Sequence, residues 1–305
     1  VGILTLFLAF PAAAEEGVRV RSSRPCGDAV CHRLEVRCGG IPAREVRVRE
    51  HAVAEPVGAV VFATGVYGVQ LYGDEPERRA TLEAARAAGL ETFEVEWGER
   101  RMGWGAHADG AGFTGALCGY AAVVRWLHAE RADRPELLCA QGNSGGSLQI
   151  AYGLSVYGLE ELLDLAVLSG GPPITRIDRY CFETKMAPHR RKEAYGLGMV
   201  DHLLGWRGRG DHCRRGEASE EVVAAALADS LVSPTRERDF DFPGTRVVFV
   251  ESERDKSTRE ARDYHRAITS AKEWRELPGS AHGVDRTAGT AEEVRRAVVD
   301  GCRPR

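Results

Sequence analysis

Four short apolar runs, separated by segments of helical pattern, constrain this chain more than any other feature. They are Gly58 to Ala63 (GAVVFA), Glu136 to Ala140, Leu162 to Leu168 and Arg246 to Val250. Each is too short for a core helix, and GAVVFA and RVVFV are rich in β-branched residues. Of these runs, Gly58 to Ala63 is apolar throughout, without alternation, the mark of a strand covered on both faces. Helical stretches fall between them: Pro76 to Ala88, stopping at Gly89, then Phe113 to Ala132, Ser144 to Tyr157, Thr258 to Thr269 and Ala291 to Val299. Further strands are expected at Thr92 to Trp97 and Trp274 to Leu277, and alternating half-buried ones at His32 to Arg37 and Glu45 to Arg49. Alternation of this kind predicts an α/β protein, a mainly parallel central sheet with helices on both faces.

One segment breaks the rhythm. Residues 171–242 hold Pro172-Pro173, the basic cluster Arg190-Arg191-Lys192, Cys181 and Cys213. A connection of that length is expected to carry its own structure. It reads as a cap or lid insertion, with a helix near Ser219 to Ser230.

Composition narrows the function classes. With 41 basic and 45 acidic residues among 305, the formal charge is −4, which argues against a nucleic-acid partner. A 43% hydrophobic, 28% charged chain is of ordinary globular make-up. Lysines number only four (Lys185, Lys192, Lys256, Lys272) and Asn143 is the sole asparagine, a bias of genome composition and not of function.

The N-terminus reads as a targeting segment. Ile3 to Phe10 is apolar and is followed by Pro11-Ala12-Ala13-Ala14, the pattern of a secretory signal and its cleavage site. The run is too short to span a bilayer. Residues 1–14 are expected to be removed, leaving a secreted or periplasmic protein of residues 15–305 with no stable membrane anchor. Eight cysteines fit that location. Cys26, Cys31 and Cys38 lie in what reads as an irregular N-terminal stretch that Cys302 is placed to tie down, Cys181 and Cys213 are expected partners, and Cys139 reads as a buried free thiol. Cysteine spacing lacks the paired short gaps of zinc sites, so Asp201-His202 and Asp211-His212-Cys213 read as loop residues and no metal is expected. Nor is a nucleotide cofactor implied, since neither Gly-x-Gly-x-x-Gly nor a phosphate-binding Gly-x-x-x-x-Gly-Lys-Ser/Thr pattern occurs.

The chemistry is concentrated in Gly142-Asn143-Ser144-Gly145-Gly146, a Gly-x-Ser-x-Gly pattern after a strand and before a helix. A sharp strand-to-helix turn needs small neighbours, which Gly142 and Gly146 supply. It lifts the Ser144 hydroxyl clear of the sheet and aims the free N–H groups of a helix start at developing negative charge. Asn143 is placed to bond neighbouring backbone at the turn.

This motif in this order of elements resembles the α/β-hydrolase superfamily, over roughly residues 30–300. The resemblance implies a nucleophile, an acid and a histidine in that chain order. Ser252-Glu253-Arg254-Asp255, after the strand ending at Val250, resembles the family's Gly-x-x-Asp turn with serine for glycine, making Asp255 the implied acid. Glu251, Glu253 and Asp178 are rivals, and Asp255 also suits the cap of the next helix. Gly279-Ser280-Ala281-His282-Gly283 resembles the histidine loop, so His282 is the implied general base among nine histidines. Thr64-Gly65-Val66-Tyr67-Gly68 stands where the family commonly has His-Gly; Thr64 departs from that pattern, and the backbone N–H groups of Val66 and Gly145 become the implied oxyanion donors. Tyr67, Trp97 and Trp104 lie on loops at the carboxyl ends of strands and are candidate substrate contacts.

The activity these residues imply is carboxylic-ester hydrolysis through an acyl-enzyme, with a lipase or polyester depolymerase as narrower versions. A serine peptidase or amidase on the same triad is the alternative within enzymes. A non-catalytic secreted binding protein that keeps the fold is the alternative outside them.

Overall fold

The computed structural model describes residues 17–98, 102–134, 137–183, 194–279 and 282–304. The expected signal segment and the Arg190-Arg191-Lys192 cluster lie outside the described residues.

Nine strands form one sheet in the order β1-β2-β3-β5-β4-β6-β7-β8-β9. Three of them, β1 (Gly17–Cys26), β2 (Ala29–Cys38) and β3 (Ile41–His51), pair antiparallel, and β3 pairs antiparallel with β5 (Leu90–Trp97). From β5 onward the pairing is parallel, through β4 (Gly58–Ala63), β6 (Leu138–Asn143), β7 (Leu165–Ser169), β8 (Arg246–Ser252) and β9 (Lys272–Leu277). The four apolar runs are the four central parallel strands, and every residue of β4, β6 and β7 is buried.

Strand β5 is buried too, although its sequence, LETFEVEW, holds three glutamates. Each has a guanidinium partner. Glu91 accepts from Arg131 at 3.1 Å, Glu94 is held by Arg49 at 2.6 and 2.8 Å, and Glu96 pairs with Arg47. Paired charges are what make a buried acidic strand tolerable.

Two cores lie on the two faces. Helices α2 (Gly112–Glu130), α3 (Gly145–Tyr157) and α8 (Thr258–Ala267) cover one, burying Leu127, Ile150 and Tyr264. Helices α1 (Pro76–Ala87) and α9 (Thr290–Gly301) cover the other, burying Leu82 and Val294. Pro76 opens α1, where its missing N–H costs nothing, and Gly89 follows its end at φ 82°.

Between β7 and β8 the chain forms α4 (Ile177–Phe182), α5 (Ala194–Leu203), α6 (His212–Arg215) and α7 (Glu220–Asp229). A Cys181–Cys213 disulfide joins α4 to α6, the pairing expected from the sequence. At the far end of this segment, the Asp229 carboxylate accepts the N–H groups of Phe113 and Thr114, capping the start of α2.

Three cysteine readings change. Cys139 is bonded to Cys302, so it is no free thiol, and Cys302 ties the end of α9 to β6 and not to the N-terminal stretch. Cys38 pairs with Cys118 on α2, and Cys26 with Cys31 across the β1–β2 turn. That stretch is regular sheet; a register shift between Val20 and Ser22 breaks the alternation in β1 that would have announced it.

Candidate functional site

The site is built at the carboxyl ends of the parallel strands. Strand β6 runs straight into the motif and ends at Asn143, and α3 begins at Gly145. Ser144, between them, has φ 53° and ψ −112°, a strained backbone for a residue with a side chain. Surrounding residues leave no alternative. A Cβ on Gly142 would strike the backbone of Gly146, one on Gly146 would strike Ala63, and one on Gly145 would strike Val66. Ser147 Oγ, donating to Gly142 O at 2.8 Å and Ser169 O at 3.0 Å, and Ser144 N–H, donating to Ser169 O at 2.9 Å, fasten the turn to β7. Asn143 Nδ2 donates to Ser169 O at 3.1 Å, across to β7 and not to the backbone of its own turn as expected.

His282 stands over this turn. Its Nε2 lies 2.6 Å from Ser144 Oγ, and its Nδ1 lies 2.7 Å from Asp255 Oδ2. Asp255 follows β8 by three residues and also accepts from Ser257, from the hydroxyl at 2.6 Å and the N–H at 3.0 Å. Its environment has opposing effects. Burial raises its pKa, but the His282 hydrogen bond and charge and the Ser257 bonds outweigh this and hold it below the usual carboxylate value. Asp255 is thus both the partner of the histidine and the start of the turn into α8.

The rival acids point elsewhere. Asp178 is held by Arg176 at 2.8 and 2.7 Å, and Glu253 is exposed. Glu251 is fully buried and accepts from Gly171 N–H at 2.9 Å.

Val66 has φ 54°, unusual for a β-branched residue. Its backbone abuts Gly145, so the main chains of residues 66 and 145 lie side by side next to Ser144. The first N–H groups of a helix have no partner inside it, and Gly145 opens α3.

The aromatic candidates are corrected. Tyr67, Trp97 and Trp104 are at most 2% exposed and belong to the core, so they offer no open contact surface. Their work is support. Trp104 Nε1 donates to Val66 O at 2.9 Å, and Trp97 Nε1 donates to Gln149 Oε1 at 2.8 Å. The open space lies on the other side: a cavity of about 410 Å³ beside His282 and Asp255, walled by Pro173, Tyr180, Arg254 and Arg259.

Ser257, Ser169 and Gln149 were not legible as site residues. Only Ser257 left a signal, as the second residue after an aspartate at a helix start, the spacing of a side-chain-to-backbone turn. Among the described residues no group of three or more His, Cys, Asp or Glu is placed to hold a metal ion. Asp201 instead accepts the N–H groups of Cys213 and Arg214.

No protein-family model and no curated protein matches the chain in sequence. Solved structures do resemble it. Carboxyl esterase 2 from the fungus Tuber melanosporum superposes with a TM-score of 0.54 at 15% identity, over 96% of this chain and 91% of that one. A highly thermostable carboxyl esterase from Bacillus coagulans gives 0.52 at 13%, over 89% and 97%. Brefeldin A esterase, a bacterial homologue of human hormone sensitive lipase, gives 0.53 at 19%, over 98% and 80%. In sheet order, strand-to-helix elbow and these likenesses alike, the chain has the α/β-hydrolase fold.

Proposed function

We propose that the protein is a serine hydrolase that cleaves carboxylic esters through an acyl-enzyme. The observation that carries this reading is the unbroken chain Ser144 Oγ, His282 Nε2, His282 Nδ1, Asp255 Oδ2, with links of 2.6 and 2.7 Å, on a strained glycine-walled turn. Ser144 Oγ attacks the ester carbonyl carbon as His282 Nε2 takes its proton. The carbonyl oxygen, now negative, is stabilised by the N–H groups of Val66 and Gly145. As the C–O bond breaks, His282 returns the proton to the leaving alcohol. Water then attacks the acyl carbon by the same route, releasing the acid and restoring Ser144. Asp255 holds the Nδ1–H tautomer and stabilises the imidazolium.

The cavity beside His282 has the size of a small-molecule site and is where the substrate lies, with the segment 171–242 as its cap. All eight cysteines are paired, which supports export to an oxidising compartment after loss of residues 1–14. Among the described residues no helix is long and apolar enough to cross a membrane.

The test is a fluorophosphonate probe together with matched ester and peptide substrates on the oxidised protein. Labelling that Ser144→Ala abolishes, with ester turnover above amide turnover, is the expected result. Labelling with peptide cleavage alone makes it a peptidase; no labelling makes it a non-catalytic relative.

A further inference from the structure

Charge is unevenly spread along this chain. Residues 17–51, the strands β1 to β3, hold eight arginines and four acids, a surplus of four positive charges. The rest of the chain has 33 basic and 41 acidic residues, a deficit of eight.

The sheet register gathers seven of these arginines on one face; the eighth, Arg44, is buried on the other with its guanidinium over Trp97. Val18, Leu34, Val36, Val46 and Val48 point toward α2 in the core. The opposite face takes the alternate positions: Arg19 stands across from Glu35, Arg33 across from Ser22 and Arg47, and Arg24 across from Cys31. Some of the charge is answered within the protein. Arg21 and Arg37 share Glu35, Arg47 pairs with Glu96 and Arg49 with Glu94. Arg19, Arg24 and Arg33 are exposed and have no hydrogen bond or ion pair from their side chains among the described residues. Arg33 directly opposite Arg47 is a like-charge pair, which destabilises a ladder when nothing else binds there.

We propose that the outward face of β1 to β3 docks the protein on an anionic lipid surface, with the arginines meeting headgroup phosphates. The shape favours a surface over a threaded polymer. The cations are spread in two dimensions over a pleated face, about 7 Å apart along a strand and about 4.8 Å across strands. Arginine forks suit phosphate oxygens. The acidic remainder of the molecule is repelled by the same surface, so the charge asymmetry fixes one orientation. The Cys26–Cys31 and Cys38–Cys118 disulfides hold this face rigid from both ends.

Sedimentation with vesicles of equal parts phosphatidylglycerol and phosphatidylcholine, against phosphatidylcholine alone, tests it. Binding to the anionic vesicles only is expected, lost between about 0.05 and about 0.5 M salt as the Debye length shrinks. Arg19→Gln, Arg24→Gln and Arg33→Gln together should weaken it on the order of tenfold or more, while the matched set Arg207→Gln, Arg266→Gln and Arg303→Gln changes it little. Ester turnover on a soluble substrate should be the same in all three proteins, so loss of docking and failure of the esterase reading are separate results. No sedimentation of the wild type, equal loss in both variants, or retention on alginate or duplex DNA without vesicle binding overturns the proposal. Thermal melts of the variants show that the face still folds.

Discussion

The buried carboxyl of Glu251 accepts the backbone N–H of Gly171 at 2.9 Å, while its other oxygen has no hydrogen-bond partner among the described residues. Gly170, the preceding residue, is wedged against His282 O and Asn143 Nδ2. The last residues of β8 therefore hold the turn that runs beneath the proposed triad.

Burial pushes the Glu251 pKa well above the usual carboxylate value, and the nearby Asp255 and Glu276 carboxylates push the same way, against the Gly171 bond. A folded-state pKa above the unfolded one means the native protein binds the proton more tightly. Stability is then full below the unfolded value of about 4.3 and falls as pH rises toward the folded one. Glu251→Gln keeps an acceptor for Gly171 and cannot ionise. Its stability relative to wild type should rise by up to about 1.4 kcal/mol per pH unit above pH 5, until Glu251 ionises. Urea melts of both proteins at pH 5 and pH 8 check this; parallel pH slopes would sink it.

Asp255 runs the other way. Its folded pKa is depressed despite burial, because His282 and Ser257 favour the charged form. The stability it contributes is present above its unfolded value of about 3.9 and is lost as pH falls through the lower folded value. Asp255→Asn should flatten the acid side of the stability profile. It should also slow probe labelling of Ser144 by about 10⁴-fold, since an amide favours the wrong imidazole tautomer. Labelling at the wild-type rate would move the acid role elsewhere.

The fold was legible where burial is uniform. GAVVFA, buried on both sides, was read to the residue as β4. Strand β6 was cut short at Ala140, because Gln141, Gly142 and Asn143 lack apolar side chains; they are strand because Gly142 pairs with Ala63 and Leu168. The three residues of the proposed triad stand out in sequence for different reasons: Ser144 by the small glycines its turn requires, Asp255 and His282 only through the resemblance of their loops to the family's acid turn and histidine loop. The aromatic residues show the converse. Strand-end position does not reveal which way a ring turns, and Trp97 turns inward to Gln149 and under the Arg44 guanidinium. Cysteine pairing beyond the local Cys181–Cys213 link was unreadable, since Cys139 and Cys302 are 163 residues apart and meet only through the sheet and α9.

The elbow gives a steric prediction. Gly142→Ala places a methyl group against the backbone of Gly146, which cannot rotate away as a side chain would. Overpacking of this kind costs about 1–3 kcal/mol, more when only backbone can yield. Probe labelling should fall further than stability does, because the displaced segment is the one that carries Ser144. The ratio of labelling rate to melting shift, compared with a core change such as Val248→Ala, is the measurement. Equal ratios would mean that the turn tolerates displacement.

The segment between β7 and β8 supplies the last prediction. Cys181 and Cys213 close a loop of 32 residues and join α4, whose Arg179 and Tyr180 wall the cavity, to α6. In the chain-entropy model such a closure contributes roughly 3–4 kcal/mol. Across the cavity, the start of α4 is held to α8 by Glu260, which accepts the N–H groups of Thr175 and Arg176 at 2.9 Å, while the later residues of α4 are tied by Arg179 to Asp263 and by Arg259 to Glu183 at 2.9 Å. Exposed pairs like the last contribute about 1 kcal/mol or less. Cys181→Ser should therefore loosen the C-terminal end of α4 before the sheet melts. Hydrogen exchange is expected to speed up in α4 and α6 with α3 and β6 unchanged, and discrimination among esters of different size should weaken more than labelling of Ser144 by a small probe. Uniformly faster exchange throughout the sheet, or unchanged exchange in α4, would show that the disulfide does not brace this segment.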